Sequence, residues 1–338
     1  MWKSGAACSA TRVGVATIIT TVFGMALADA LIKQSSTAMT LWQIYVLRSA
    51  LVLPILLVMA RGRMNTGRYG WIALRSLALV LMYLGIYAAI PWLELSVVAA
   101  ALYTSPLFIA GLSAIVLREP ITSRHWLGIL IGFAGVLLIV RPAASGFKPL
   151  ALVPVGAAFL YAVAAVITRA KCSDMPTRAL AVWLNLSLLV TGLAASLYLS
   201  RTGVGAGFDY PFLFGAWRPM SGRDGWVIVV LACLMIGISL GLARAYQSPR
   251  PQVIATFDYS FLIFATFWGF VFFGDIPDRL TLLGMGLIML AGVIVLTAGT
   301  PEPTRLEKAK VARDQPLVPC RVKTRTRPQR TDTSPSNR

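Results

Sequence analysis

The chain has 338 residues, of which 57% are hydrophobic and only 13% charged, against about a quarter charged in an ordinary soluble domain. Its mean hydropathy is +0.74 and its formal net charge is +18. A soluble protein of this length could bury a large core but would still need charge to cover its surface, so the composition excludes that class and points to a membrane protein.

A helix rising ~1.5 Å per residue needs about 20 residues to cross ~30 Å of hydrocarbon. Ten runs of that kind follow one another, near 12–33, 40–60, 71–92, 95–117, 125–141, 149–168, 179–200, 225–246, 252–273 and 280–299. Several are sharply bounded. Glu94 and Arg118 enclose twenty-three uncharged residues, Lys148 and Arg169 twenty, and Arg178 and Arg201 twenty-two. Buried strands of soluble proteins end after about four to eight residues. The predicted fold class is therefore an all-α integral membrane protein with ten transmembrane helices.

The first run is long, contains Asp29 and lacks a small-residue cleavage site after a short apolar core, so it reads as a span and not as a cleaved signal. Within its MALADALIK segment, Asp29 and Lys33 stand four residues apart and share a face, which predicts a structural or gating ion pair near the outer boundary. In the second run, Arg48 lies too deep to snorkel easily to the surface. Its five donors can hold a substrate carboxylate or phosphate, satisfy backbone carbonyls, or pair with Asp29. Tyr83 and Tyr87, four residues apart in the third run, and Tyr103 in the fourth are polar-tipped aromatics that can stack on a flat solute or attract a cation. Trp71, Trp92 and Trp126 read instead as interfacial anchors.

Gly128, Gly132 and Gly135 give the fifth run a small-residue face, and Gly284, Gly286 and Gly292 do so less regularly in the tenth, which allows close helix packing without a ligand. Pro91, Pro106 and Pro251 are candidate bends. Trp183 in the seventh run and Tyr246 in the eighth are further cavity candidates. The most expensive charge is Asp258, set in PQVIATFDYSFLIFATFWGFVFF, because a carboxylate there faces a bundle interior or an aqueous path more readily than hydrocarbon. It can attract a cationic solute or carry a coupling proton, with the phenol of Tyr259 beside it, or pair structurally with Arg244 or Arg48.

Thirteen Lys or Arg lie on one side of the predicted spans before the tail and seven on the other, which places both termini in the cytoplasm. Ten of the thirty-one basic residues lie beyond residue 300, in a Pro-, Thr- and Arg-rich tail over 300–338 that disorder and nearby anionic lipid explain better than nucleic acid. Cys8, Cys172, Cys233 and Cys320 are widely spaced and are expected to be reduced. His125, the only histidine, has no metal-binding partners in sequence, and the chain carries no Walker motif, so neither an enzyme nor a cofactor is expected.

The chain divides near residue 145, giving units over 1–145 and 146–299. LYTSPLFIAGLSAIVLREPIT followed by GILIGFAGVLLIV is echoed by FDYSFLIFATFWGFVFFGDIPD followed by GMGLIMLAGVIVL. Five spans per unit force the second copy to be inverted in the membrane, an arrangement used for alternating access.

With Arg48 in WQIYVLRSALVLPILL, the LYTSPLF segment, the LREPIT turn, AGVLLIVRP and the FDYSFLIFATFWGFVFFGDIP segment in this order, residues 12–299 resemble the drug/metabolite transporter superfamily, specifically the ten-helix permeases of two EamA-type repeats. The resemblance implies secondary transport of a small organic solute, such as an amino acid, a vitamin or S-adenosylmethionine, across a bacterial inner membrane. It also implies a cavity lined by the third, fourth, eighth and ninth helices, and a fifth and tenth helix able to support a homodimer. A coupling proton, membrane lipids and the solute are the expected partners. A lipid scramblase or a non-transporting membrane scaffold is the alternative.

Overall fold

A computed structural model describes residues 2–60, 67–116, 123–140, 149–172, 175–202, 210–246, 254 and 257–297, with the backbone alone at 2–11, 125, 243, 246 and 296. Every apolar run of the sequence carries helix. In chain order these are α1 (Trp2–Ser35), α2 (Leu41–Ala60), α3 (Tyr69–Ala89), α4 (Leu95–Leu102), α5 (Ser105–Val116), α6 (Ser123–Val140), α7 (Leu152–Lys171), α8 (Thr177–Thr202), the short α9 (Pro211–Phe214), α10 (Gly222–Tyr246), α11 (Ser260–Phe273) and α12 (Arg279–Thr297). Seven helical stretches among the described residues are long and apolar enough to cross a membrane, and three further apolar helices are shorter, at Trp126–Val140, Ser260–Phe273 and Arg279–Val295. The protein is an all-α, multi-pass membrane protein.

Two of the predicted spans are not continuous helices. In the fourth, Pro106 has no N–H to give Leu102 and its ring crowds that carbonyl, so α4 ends at Leu102 and α5 begins at Ser105. Thr104 restores part of the lost bonding by donating its Oγ1 to the Ala101 carbonyl at 2.6 Å. In the ninth, residues 257 and 258 are helical, Tyr259 forms a turn and α11 starts at Ser260, whose Oγ donates back to the Phe257 carbonyl at 2.7 Å. Elsewhere hydroxyls fold back onto their own helices, as Thr17, Thr20 and Thr21 do onto carbonyls four residues earlier. Such bonds leave no donor bare against an apolar surround.

The helices pair across the sequence. α1 packs against α10 and α11, α2 against α8 and α10, α3 against α7 and α8, α7 also against α4 and α5, α4 against α11, and α6 against α12. Close contacts rest on small residues. A Cβ on Gly135 would lie 2.8 Å from the carbonyl of Gly284, and one on Gly284 would lie 2.7 Å from the carbonyl of Gly135. The small face of α6 is thus spent on α12 of the same chain. Gly286 has nothing within 4 Å of such an atom and takes no part, while Gly292 makes room for the Tyr259 ring. Large apolar side chains such as Val58, Ile115 and Trp226 are more than 70% exposed, a surface suited to lipid and hazardous in water.

Candidate functional site

Asp29, Arg48, Tyr83 and Tyr87 come together with Tyr45 between α1, α2 and α3. The Tyr87 hydroxyl donates to Asp29 Oδ1 at 3.5 Å. Tyr83 and Tyr87, one helical turn apart, stack with centroids 5.8 Å apart and planes 18° apart. Arg48 is 3% exposed, its guanidinium carbon lies 5.9 Å from the centre of the Tyr45 ring, and it acts electrostatically on Asp29 and on Tyr45, Tyr83 and Tyr87. Its Nε and Nη2 and the Tyr45 hydroxyl have no hydrogen-bond partner.

Tyr83 links this group to a second one. It lies within electrostatic reach of Arg75 and Tyr161, and Tyr161 in turn of Asp258. Tyr161 is 38% exposed although those neighbours come from α3 and from the segment before α11. Asp258 sits at the break before α11, where the Tyr103 hydroxyl donates to its backbone carbonyl at 3.0 Å. Tyr103 itself occupies the break between α4 and α5, edge-on to Tyr259 and stacked on Phe261. Arg75 lies within α3, and its Nε donates to Thr168 Oγ1 at 2.8 Å.

Other expectations are not met. Lys33 does not pair with Asp29. Its Nζ lies 2.9 Å from Asp275 Oδ2, donates to the Leu93 carbonyl at 2.9 Å and stands 4.4 Å above the Phe273 ring. Arg244 is exposed, and neither it nor Arg48 forms an ion pair with Asp258, because the one ion pair among the described residues is that of Lys33 and Asp275. Trp183 packs edge-on against Tyr69 at the start of α3, and its Nε1 is buried without a hydrogen-bond partner. Tyr259 is buried and its hydroxyl has no partner. The Tyr246 side chain, the Glu119 turn and the tail lie outside the described residues. Cys172 and Cys233 are free thiols.

Tyr45 and Asp275 are the residues that sequence reading passed over. Tyr45 stands three residues before Arg48 and so shares its face, which is a legible signal. Near Lys33, Glu94 has its carboxyl pushed above the ordinary range, first by burial and next by the neighbouring Asp275 charge. On the same side of the helices the segment holding α9 packs back on the bundle. Phe212 is 3% exposed, the Tyr210 hydroxyl reaches the Ala88 carbonyl, and Trp42 Nε1 reaches the Leu213 carbonyl. A separate cleft of about 440 Å3 between α1 and α10 is lined by uncharged residues including Thr20, Gly24, Trp226 and Cys233 and is distinct from the polar groups.

Residues 12–141 match the EamA-like transporter family. Over its greater part the chain is similar to a riboflavin transporter of Vibrio cholerae, 28% identical over 81% of this chain and 86% of the relative. It is also similar to a pseudopaline exporter of Pseudomonas aeruginosa, 25% identical over 82% and 94%, and to an S-adenosylmethionine uptake transporter of Rickettsia bellii, 25% identical over 73% and 79%. A protein of known crystal structure shares the fold with a TM-score of 0.58 at 20% identity, over 86% of this chain and 97% of that one.

Proposed function

We propose that the chain, whose residues 12–141 match the EamA-like transporter family, is a membrane transporter of a small solute that works by alternating access between two inverted five-helix repeats, 1–145 and 146–299. The observation that carries this reading is the electrostatically linked line of polar and aromatic side chains from Arg48 and Asp29 through Tyr83 and Tyr161 to Asp258, within a largely apolar bundle. A fully packed scaffold has no use for such a line.

The helix pairing supports the repeats. Counting the broken α4 and α5 as one span and passing over the short α9, the spans become ten. Adding five to each number turns the contacts of the first with the eighth and ninth into those of the sixth with the third and fourth, and leaves second with seventh, fourth with ninth and fifth with tenth unchanged. In the internal echo, Tyr103 and Asp258 occupy equivalent positions, and they touch. Equivalent residues meet only near the axis that relates two copies. Interrupted helices at corresponding places of two repeats are where carriers of this design build their substrate site.

On this reading the protein sits in the bacterial inner membrane with both termini in the cytoplasm, and Lys33 with Asp275 closes the outer mouth. Asp258 carries the coupling proton, since a carboxylate in that setting can take up and release one with little competition from a fixed cation. The solute is a compact, partly planar or zwitterionic metabolite, a description that includes amino acids as well as the riboflavin and S-adenosylmethionine for which similar transporters are named. The test is uptake into proteoliposomes of labelled riboflavin, S-adenosylmethionine and amino acids under an imposed proton gradient, comparing the native chain with Asp258→Asn. Saturable, gradient-driven uptake that loses its gradient response in the variant supports both the carrier and the coupling. An unchanged response removes the coupling role of Asp258.

A further inference from the structure

Arg48 presents a specific deficit. Its Nε and Nη2 atoms, both without partners, form one edge of the guanidinium, the edge along which a carboxylate is bound by two parallel hydrogen bonds. Leaving a charged donor pair unmet in a water-poor site costs several kcal/mol by the usual reckoning. Asp29 is near enough to act electrostatically, yet it makes no ion pair with Arg48 and instead accepts from Tyr87. One cation lacking acceptors and one carboxylate with a single long hydrogen bond therefore stand beside each other, next to the stacked rings of Tyr83 and Tyr87.

We propose that this is the site for a zwitterionic headgroup of the α-amino-acid type. The solute's carboxylate lies along the Nε and Nη2 edge of Arg48, its ammonium faces Asp29, and the rings of Tyr83 and Tyr87 flank the adjoining part of the molecule. The Tyr45 hydroxyl, also buried and unpartnered, is one more donor beside the carboxylate. The arrangement selects against amines that lack the carboxylate, because they leave the Arg48 edge unmet, and against neutral flavins for the same reason. This inference rests on the carrier reading above and narrows it to one chemical class.

The test uses the full native chain in lipid nanodiscs and measures equilibrium binding of S-adenosylmethionine and the common amino acids, each beside its decarboxylated amine. The expected result is that at least one zwitterion binds, and that its decarboxylated partner binds roughly tenfold or more weakly, the loss expected when a charge-assisted hydrogen-bond pair goes unmade. Arg48→Lys, which keeps the charge but not the two-pronged edge, weakens the zwitterion by a similar factor and leaves the amine unaffected. Equal binding of zwitterion and amine, unchanged affinity in Arg48→Lys, or no zwitterion bound at all would each overturn the inference. Counterflow of labelled amino acids, S-adenosylmethionine and riboflavin in vesicles made from the same preparation reads the carrier separately, so that flavin exchange without any zwitterion response would remove the headgroup site and leave the carrier standing.

Discussion

Lys33 Nζ and Asp275 Oδ2 are 2.9 Å apart although 242 residues separate them in the chain. The ammonium also holds the Leu93 carbonyl and covers the Phe273 ring, so one side chain ties the end of α1 to the α3–α4 connection and to the α11–α12 connection. If this clamp closes the outer mouth as proposed, replacing Lys33 with Met or Asp275 with Asn is expected to weaken the closed state by ~1–3 kcal/mol, roughly a 5- to 150-fold shift in its population. Reaction of a cysteine placed at the buried Tyr87 with a membrane-impermeant thiol reagent added outside should rise accordingly in either variant. Unchanged reactivity would mean that the pair is structural only.

The α6–α12 contact makes a contrast between two neighbouring glycines. Gly284 faces the Gly135 carbonyl and Ile139, whereas Gly286 faces open space. Gly284→Val should lower thermal stability in detergent by an overpacking cost of ~1–3 kcal/mol. Gly286→Ala should leave it unchanged or slightly raised, because Ala is the better helix former.

Glu94 gives a pH dependence with a definite sign. Burial, and then the Asp275 charge, raise its pKa in the folded protein, so the folded state binds the proton more tightly than the unfolded chain does. Its contribution to stability is therefore greatest at low pH and falls as pH rises from the ordinary glutamate range through the raised folded value. The melting temperature of the native chain, referred to that of Glu94→Gln, should decline across that window. A difference between the two proteins that stays constant with pH would contradict the assignment.

Exposure in a membrane protein has two meanings, and Tyr161 and Val190 separate them. Both are exposed, at 38% and 55%, but Tyr161 has Asp258, Tyr83 and Arg75 as electrostatic neighbours and Val190 lies on a helix face without charges. A cysteine at Tyr161 should react with a charged methanethiosulfonate and be protected by a bound solute. A cysteine at Val190 should stay inert to the same reagent because lipid covers it. Equal reactivity at the two positions would contradict an aqueous path beside Tyr161.

Much of the architecture was legible because the membrane imposes it through composition: each long uncharged run carries helix, and the Pro106 ring accounts for the interruption after Leu102. The interruption at Tyr259 has no proline to announce it, and the continuous helix expected there is not found. The pairing of Lys33 was misread for an energetic reason. Spacing favours Asp29, but a helical pair four residues apart is worth only ~0.2–0.5 kcal/mol, and a carboxylate, a carbonyl and a ring from elsewhere in the fold outweigh it. The grouping of Asp29, Arg48, Tyr83 and Tyr87 depends on how three helices face one another, which periodicity in any one of them does not record. Tyr45, three residues before Arg48, was within reach of a helical count.

Alternating access is the centre of the account, and locking the outer mouth tests it most directly. In a background without the four native cysteines, Lys33→Cys and Asp275→Cys together would allow the clamp to be fixed by a short thiol-reactive cross-linker that reductant cleaves. Counterflow of labelled solute in proteoliposomes should be abolished by the cross-link and restored on reduction, while either single cysteine variant exchanges before and after treatment alike. Cross-linked protein that exchanges solute at the uncross-linked rate would contradict alternating access through this mouth.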